Sequence, residues 1–134
     1  MYWKANVLVI ANRTVDSPEL REALVARHSR TPATFTILVP SAPAERPVAV
    51  AGLNAALERL RETGLEVDGV FGDADPMIAI AESWNPAEFD EVIVSTLPTN
   101  ASKWLLIDLP HRVARTTGAN VTHVVARAPE LALR

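Results

Sequence analysis

Short apolar runs alternate along this chain with segments of helical spacing, and that alternation restricts the fold more than any other feature. Asn6-Val7-Leu8-Val9-Ile10-Ala11-Asn12 is almost continuously apolar. A run of that kind suits a strand buried on both faces, as in a parallel sheet. Thr34-Phe35-Thr36-Ile37-Leu38-Val39 is rich in β-formers and stops at Pro40, which marks a second strand. Val92-Ile93-Val94-Ser95-Thr96-Leu97 and Val121-Thr122-His123-Val124-Val125-Ala126 are the fourth and fifth. Between them, Leu65, Val67 and Phe71 alternate with acids and Gly69, as an edge strand would.

The intervening segments carry helix signals. Asp16-Ser17-Pro18-Glu19 offers a cap, a first-turn proline and a first-turn acid, ahead of Leu20, Ala23 and Leu24. Val50, Leu53, Leu57 and Leu60 fall on one helical face, and Gly64 stands where a C-terminal cap glycine belongs. Asp75 caps a third helix with Pro76 in its first turn, and Met77, Ile80, Ala81 and Trp84 are its expected inner face. Residues 98–109 read as an irregular loop with a short helix near Trp104-Leu105-Leu106. A last helix begins at Asp108 and ends near Gly118.

The order βαβαβαβαβ predicts an α/β fold of three layers, α/β/α, around a five-stranded parallel doubly wound sheet. The expected strand order is 3-2-1-4-5, in a doubly wound layer related to the flavodoxin-like one. Ligands of such sheets bind beyond the carboxyl ends of the strands, where the strand order reverses. Two stretches therefore matter most: Asn12-Arg13-Thr14 after strand one, and Ser95 through Arg112 after strand four.

Length and composition narrow the rest. A chain of 134 residues is expected to form a single domain over residues 1–134. No apolar run reaches the roughly 20 residues of a membrane span, and the first residues lack the apolar stretch of a signal peptide. The expected location is cytoplasmic, with no membrane partner. The absence of cysteine excludes disulfides, a thiol nucleophile and thiolate-bound metal. A net charge of −3 argues against nucleic acid as a partner. Eight acids and no Lys or Arg lie between Glu66 and Glu91, whereas Lys103, Arg112, Arg115 and Arg127 face the single acid Asp108 in the stretch from 103 to 127. Two solvated faces of opposite sign account for that layout; a basic rim around an anionic ligand, or a charge-complementary dimer, is the sharper alternative.

In layout and in four local features, from Asn6 to Ala126, the chain resembles the universal stress protein family. The features are the polar turn Asn12-Arg13-Thr14-Val15-Asp16-Ser17-Pro18 after an apolar strand, and Gly72-Asp73 ending the third strand. They also include the acidic entry Phe89-Asp90-Glu91 into the fourth strand. The fourth is a long loop leading to a helix with Arg112-Val113-Ala114 and a Val-rich last strand. Nucleotide-binding members carry Gly-x-x-Gly, nine residues, then Gly-Ser/Thr in the last loop. Here Ser95, Pro98, Asp108 and Leu109 stand at those positions, and Asn12 stands at the family's acidic position after strand one.

The resemblance thus implies the adenine nucleotide α-hydrolase-like fold, while the residues depart from its ATP site. Glycines let a backbone approach phosphate closely, and Pro98 has no N–H to donate. Asp108, at the expected start of the last helix, is read as a cap that occupies the N–H groups an anion would need. ATP is accordingly expected to bind weakly or not at all, and ATP and AMP are disfavoured as cofactors. The primary reading is a binding or dimeric interaction protein of unknown ligand. The alternative is an adenine-nucleotide-binding stress-response protein with an altered phosphate site. Its charges would come from Arg13, Lys103 and Arg112, and its hydroxyls from Thr14, Ser95, Thr96, Thr99 and Ser102. Asn12 would meet a ribose or base, and the Val39 backbone an adenine edge.

No catalytic residues are assigned. Asp108 and His111 are spaced to share a helical face as an acid–base pair. There is no Gly-x-Ser-x-Gly elbow, no His-Glu-x-x-His and no metal-ligand set. Trp104 is expected to pack down over the crevice or across a dimer. The expected partner is a second copy of the chain, joined through the fifth strand at Val121, His123 and Val125.

Overall fold

The computed structural model describes residues 4–98 and 102–127. Its strands are β1 (Ala5–Ile10), β2 (Ala33–Pro40), β3 (Glu66–Gly72), β4 (Glu91–Thr96) and β5 (Asn120–Val125). Its helices are α1 (Pro18–Arg30), α2 (Arg46–Glu62), α3 (Pro76–Ser83), α4 (Lys103–Leu106) and α5 (Leu109–Thr117). All five strands run parallel in the order β3-β2-β1-β4-β5. The doubly wound α/β architecture expected from the alternation is the one observed.

The near-continuous apolar run of β1 is explained by burial on both faces. Val7, Val9 and Ala11 join a core with Leu20 and Leu24 of α1 and with Leu53, Leu57 and Leu60 of α2. Leu8 and Ile10 point the other way, into a second core with Ala79 and Ile80 of α3 and with Leu109 and Val113 of α5. Alternate residues of a strand face opposite sides, so both sets must be apolar when helices cover both faces. The edge strands β3 and β5 are covered less, and β3 alternates in exposure from Glu66 to Phe71.

Local chemistry sets the ends of the helices. Ser17, rather than Asp16, caps α1, its Oγ accepting from the Leu20 N–H at 3.1 Å. Asp75 caps α3 through the Met77 N–H at 2.9 Å. Gly64 follows α2 with φ of +93°, and Gly118 closes α5 with φ of +68°; both lie in the left-handed region that glycine enters without Cβ strain.

Three expectations change. Val50 is 41% exposed, and the inner face of α2 is Leu53, Ala56, Leu57 and Leu60. The first turns of α2 border an open crevice at the carboxyl end of the sheet, so they have no core to meet. Ala81 is exposed; on α3 the buried residues are Pro76, Ala79 and Ile80, since Ala81 is turned a further 100° or so around the helix. Asp108 does not cap α5. It sits at φ 55°, ψ 47° and makes no side-chain cap hydrogen bond. A capping residue needs extended φ/ψ to fold its side chain over the free N–H groups. In the left-handed conformation the carboxylate turns away and accepts from His111 Nδ1 at 2.9 and 3.1 Å.

Candidate functional site

The strand order reverses between β1 and β4, and the chain opens a crevice at their carboxyl ends. Four connecting segments build it: the β1–α1 turn, the segment after β2, the β3–α3 turn and the segment after β4. It has two arms.

The polar arm is a cavity of about 260 Å³ bounded by Asn12, Arg13 and Thr14 on one side and by Ser95, Thr96 and Ser102 on the other. Lys103, Trp104, Leu97, Ala74 and Glu45 complete its wall. The larger, apolar arm, of about 590 Å³, runs between the β1–α1 turn and the start of α2. Val15, Val39, Ala44, Val48, Ala49 and Gly52 give it its apolar surface. Asn12, Arg13 and Glu45 belong to both arms and mark their junction.

Hydrogen bonds fix the floor of the polar arm. Thr14 Oγ1 and Ser95 Oγ are buried and 2.6 Å apart, tying the β1–α1 turn to the end of β4. Thr96 Oγ1 lies 2.7 Å from His123 Nε2, a diagonal contact from β4 to the edge strand β5. Loss of water around the imidazole lowers the His123 pKa from its ordinary 6.5. Ser102 Oγ accepts from the Leu105 N–H at 3.3 Å and so starts α4. That short helix carries Lys103 and Trp104 to the crevice. Trp104 is half-buried and packs on the second core, so one ring both holds α4 down and walls the cavity.

The ionic side chains divide sharply. Asp16 is engaged: Arg59 Nη1 donates to its Oδ2 at 3.0 Å, and Arg21 approaches Oδ1 at 3.8 Å. Arg13, Lys103 and Glu45 all border the polar arm, and among the described residues none has an ion-pair or side-chain hydrogen-bond partner. Glu45 is turned loose by the backbone. The 3-10 turn Pro43–Glu45 runs straight into α2, leaving Glu45 at φ −92°, ψ −12° with no cap bond for its carboxylate to make.

Most of the residues singled out from sequence converge here: Asn12, Arg13, Thr14, Ser95, Thr96, Ser102 and Lys103 in the polar arm, Val39 in the apolar one. Asp108 and Arg112 line neither arm, and Thr99 lies outside the described residues. The Asp108–His111 pair is exposed on the outside of α5, with no nucleophile against it among the described residues. Sequence reasoning missed Glu45. Its one signal was position, in the loop after a strand at the carboxyl end of the sheet. Among the described residues no group of three or more His, Asp or Glu side chains is placed to hold a metal ion. No helix among them is long and apolar enough to cross a membrane.

No protein-family model matches the chain, and no curated protein matches it significantly. Among solved structures it is similar to a universal stress protein whose crystal structure was determined in complex with cAMP. The two are 23% identical, and the match covers 92% of this chain and 98% of that one, with a TM-score of 0.63. The chain therefore shares its fold with that universal stress protein.

Proposed function

We propose that this protein is a small-molecule-binding protein of universal-stress-like fold whose crevice takes a ligand with a flat apolar part and one compact anionic group. The observation that carries this reading is the pair of cations, Arg13 and Lys103, left without partners among the described residues on the wall of the polar arm, beside an apolar arm. Unpaired charges facing a cavity are available to a ligand at no cost in broken ion pairs.

A nucleoside monophosphate or its cyclic ester meets this description, and a neighbour of the same fold was crystallised with cAMP. A triphosphate fits less well. Among the described residues, two cations without partners line the polar arm, and no glycine occurs in the sequence from Ser95 to Arg112. Pro98 and Pro110 each remove an N–H from the stretch where a phosphate chain would seek donors. The protein thus works by binding rather than by hydrolysis, and ATP is a poor ligand.

A second element of the reading is self-association. β5 is an edge strand with Val125 44% exposed, and an exposed edge is a template for pairing. A two-fold dimer through Val121, His123 and Val125 uses it, leaving the crevice of each copy open.

The test is calorimetry with AMP, cAMP and Mg-ATP, together with mass spectrometry of small molecules that co-purify. AMP or cAMP is expected to bind at least about tenfold more tightly than Mg-ATP, with both weakened in the Arg13→Ala/Lys103→Ala variant. Micromolar Mg-ATP affinity that is lost in Asn12→Ala overturns the reading.

A further inference from the structure

We infer that Glu45 determines specificity in the crevice, by accepting hydrogen bonds from a pair of adjacent hydroxyls at the middle of the ligand. The inference rests on the proposed binding function and adds the chemistry of the ligand's central part.

Position comes first. Glu45 lines the polar arm and the apolar arm alike. A ligand spanning both arms places its linking portion at that junction, between the group held by Arg13 and Lys103 and the group lodged against Val39 and Val48. Among the described residues only Asn12 and Arg13 are also shared by the two arms, so the junction holds one acceptor of full negative charge.

Availability comes second. Asp16, the other acid of the apolar arm, accepts from Arg59 through Oδ2, has Arg21 at 3.8 Å from an Oδ1 that makes no hydrogen bond, and lies outside the polar arm, away from the junction. Glu45 has no side-chain partner among the described residues, and its helical backbone prevents it from capping α2. An ionised carboxylate only accepts hydrogen bonds, with two oxygens. Its ligand counterpart must therefore donate.

Charge decides which donor. An ammonium group on the ligand would satisfy Glu45 and at the same time face Arg13 and Lys103 in the same small cavity. Like charges at such range are unfavourable. Neutral hydroxyls donate without that penalty, and two on adjacent carbons match the two oxygens of one carboxylate. The ribose of a nucleoside 5′-monophosphate carries such a pair, whereas its 3′,5′-cyclic ester keeps only the 2′-hydroxyl. A carboxylate that binds ribose hydroxyls is a recurring solution in nucleotide sites. At the junction the β1–α1 turn presents the amide of Asn12, and Glu45 brings a carboxylate there from a different element, the start of α2.

The experiment measures the affinities of AMP and 2′-deoxy-AMP for the full chain, for Glu45→Ala and for Glu45→Gln. The ratio of the two affinities is the readout, because removing a negative charge near phosphate shifts both values together and cancels in the ratio. Wild type is expected to favour AMP by about tenfold, the worth of one charge-assisted hydrogen bond. Glu45→Ala is expected to bring the ratio close to 1, with Glu45→Gln in between. Circular dichroism confirms that the variants fold; the Glu45 side chain is exposed and bonds nothing among the described residues, so they are expected to. Arg13→Ala serves as the control, lowering both affinities and leaving the ratio unchanged. If wild type binds AMP and 2′-deoxy-AMP equally, the role of Glu45 is wrong while the anion-binding crevice stands. An unchanged preference for AMP in Glu45→Ala has the same meaning. If neither probe binds at millimolar concentration, both readings fall together.

Discussion

Thr14 Oγ1 and Ser95 Oγ lie 2.6 Å apart, buried at the point where the strand order of the sheet reverses. The contact joins residues far apart in sequence and closes the floor of the crevice between β1 and β4. A buried hydroxyl that loses its partner keeps its desolvation cost. Thr14→Val and Ser95→Ala are each expected to destabilise by about 1–2 kcal/mol, and the double variant by less than their sum. Urea denaturation of all four proteins provides the cycle. Strict additivity shows that the contact contributes nothing.

At the opposite end of the sheet, Arg27 of α1 meets Glu91 of β4. Nε donates to Oε1 at 2.7 Å and Nη2 to Oε2 at 3.0 Å, while Nη1 donates to the Thr31 backbone carbonyl and hydroxyl. The Glu91 hydrogen bond raises the Arg27 pKa, so the guanidinium stays charged. With Arg27 almost wholly covered and Glu91 partly so, Glu91→Ala strands a buried charge. Its cost is expected to be about 3 kcal/mol, at the low end for buried pairs because Glu91 keeps some solvent. A loss under about 1 kcal/mol in thermal or chemical denaturation identifies the pair as a surface bridge instead.

Gly72 and Gly69 of β3 differ in what an added methyl would meet. At Gly72 the new Cβ would come within 2.8 Å of Ala79 Cβ and 2.9 Å of Leu38 Cδ1. Ala79 belongs to a packed helix and cannot move alone. At Gly69 the contact is Leu53 Cδ2 at 2.6 Å, the far end of a flexible side chain. Gly72→Ala is therefore expected to cost about 1–3 kcal/mol and Gly69→Ala less. The reverse ranking by thermal melts contradicts the close approach of α3 to β3.

His123 gives stability a dependence on pH. Its folded pKa lies below 6.5, so the unfolded chain binds the proton more readily. Stability from this residue is complete above pH 6.5 and declines as pH falls towards the folded value. Protonation also ends the ability of Nε2 to accept from Thr96. The melting temperature of His123→Asn is expected to fall less than that of wild type between neutral pH and about pH 5.5. Parallel pH profiles for the two proteins remove His123 as the cause.

Light scattering tests the proposed dimer. The expected mass is twice 14.5 kDa at micromolar concentration. Val125→Pro is expected to yield the monomer with its melt little changed, since Pro blocks edge pairing and Val125 is 44% exposed. A wild-type mass near 14.5 kDa overturns the proposal.

The architecture was legible because burial on two faces leaves a direct mark on composition. Val7 through Ala11 had to be apolar throughout, whereas β3 alternates, so that edge could be told from the centre by sequence alone; β5 was placed at an edge by topology. The switch point came from topology, and with it Asn12, Arg13, Thr14 and Ser95. Side-chain direction was legible only in part, since the spacing allowed Asp108 to meet His111 but did not show that this contact would displace the cap. Asp108 has the chemistry of a cap, yet a left-handed backbone turns its carboxylate to His111. Glu45 sits in a proline-rich loop with no motif around it, and the 3-10 turn ahead of α2 leaves its carboxylate at the crevice with no partner among the described residues. Periodicity determines which residues are buried, because burial repeats along an element. The pairing of Thr14 with Ser95, and the lack of partners among the described residues for Arg13, Lys103 and Glu45, depend on contacts between loops, which no local repeat encodes.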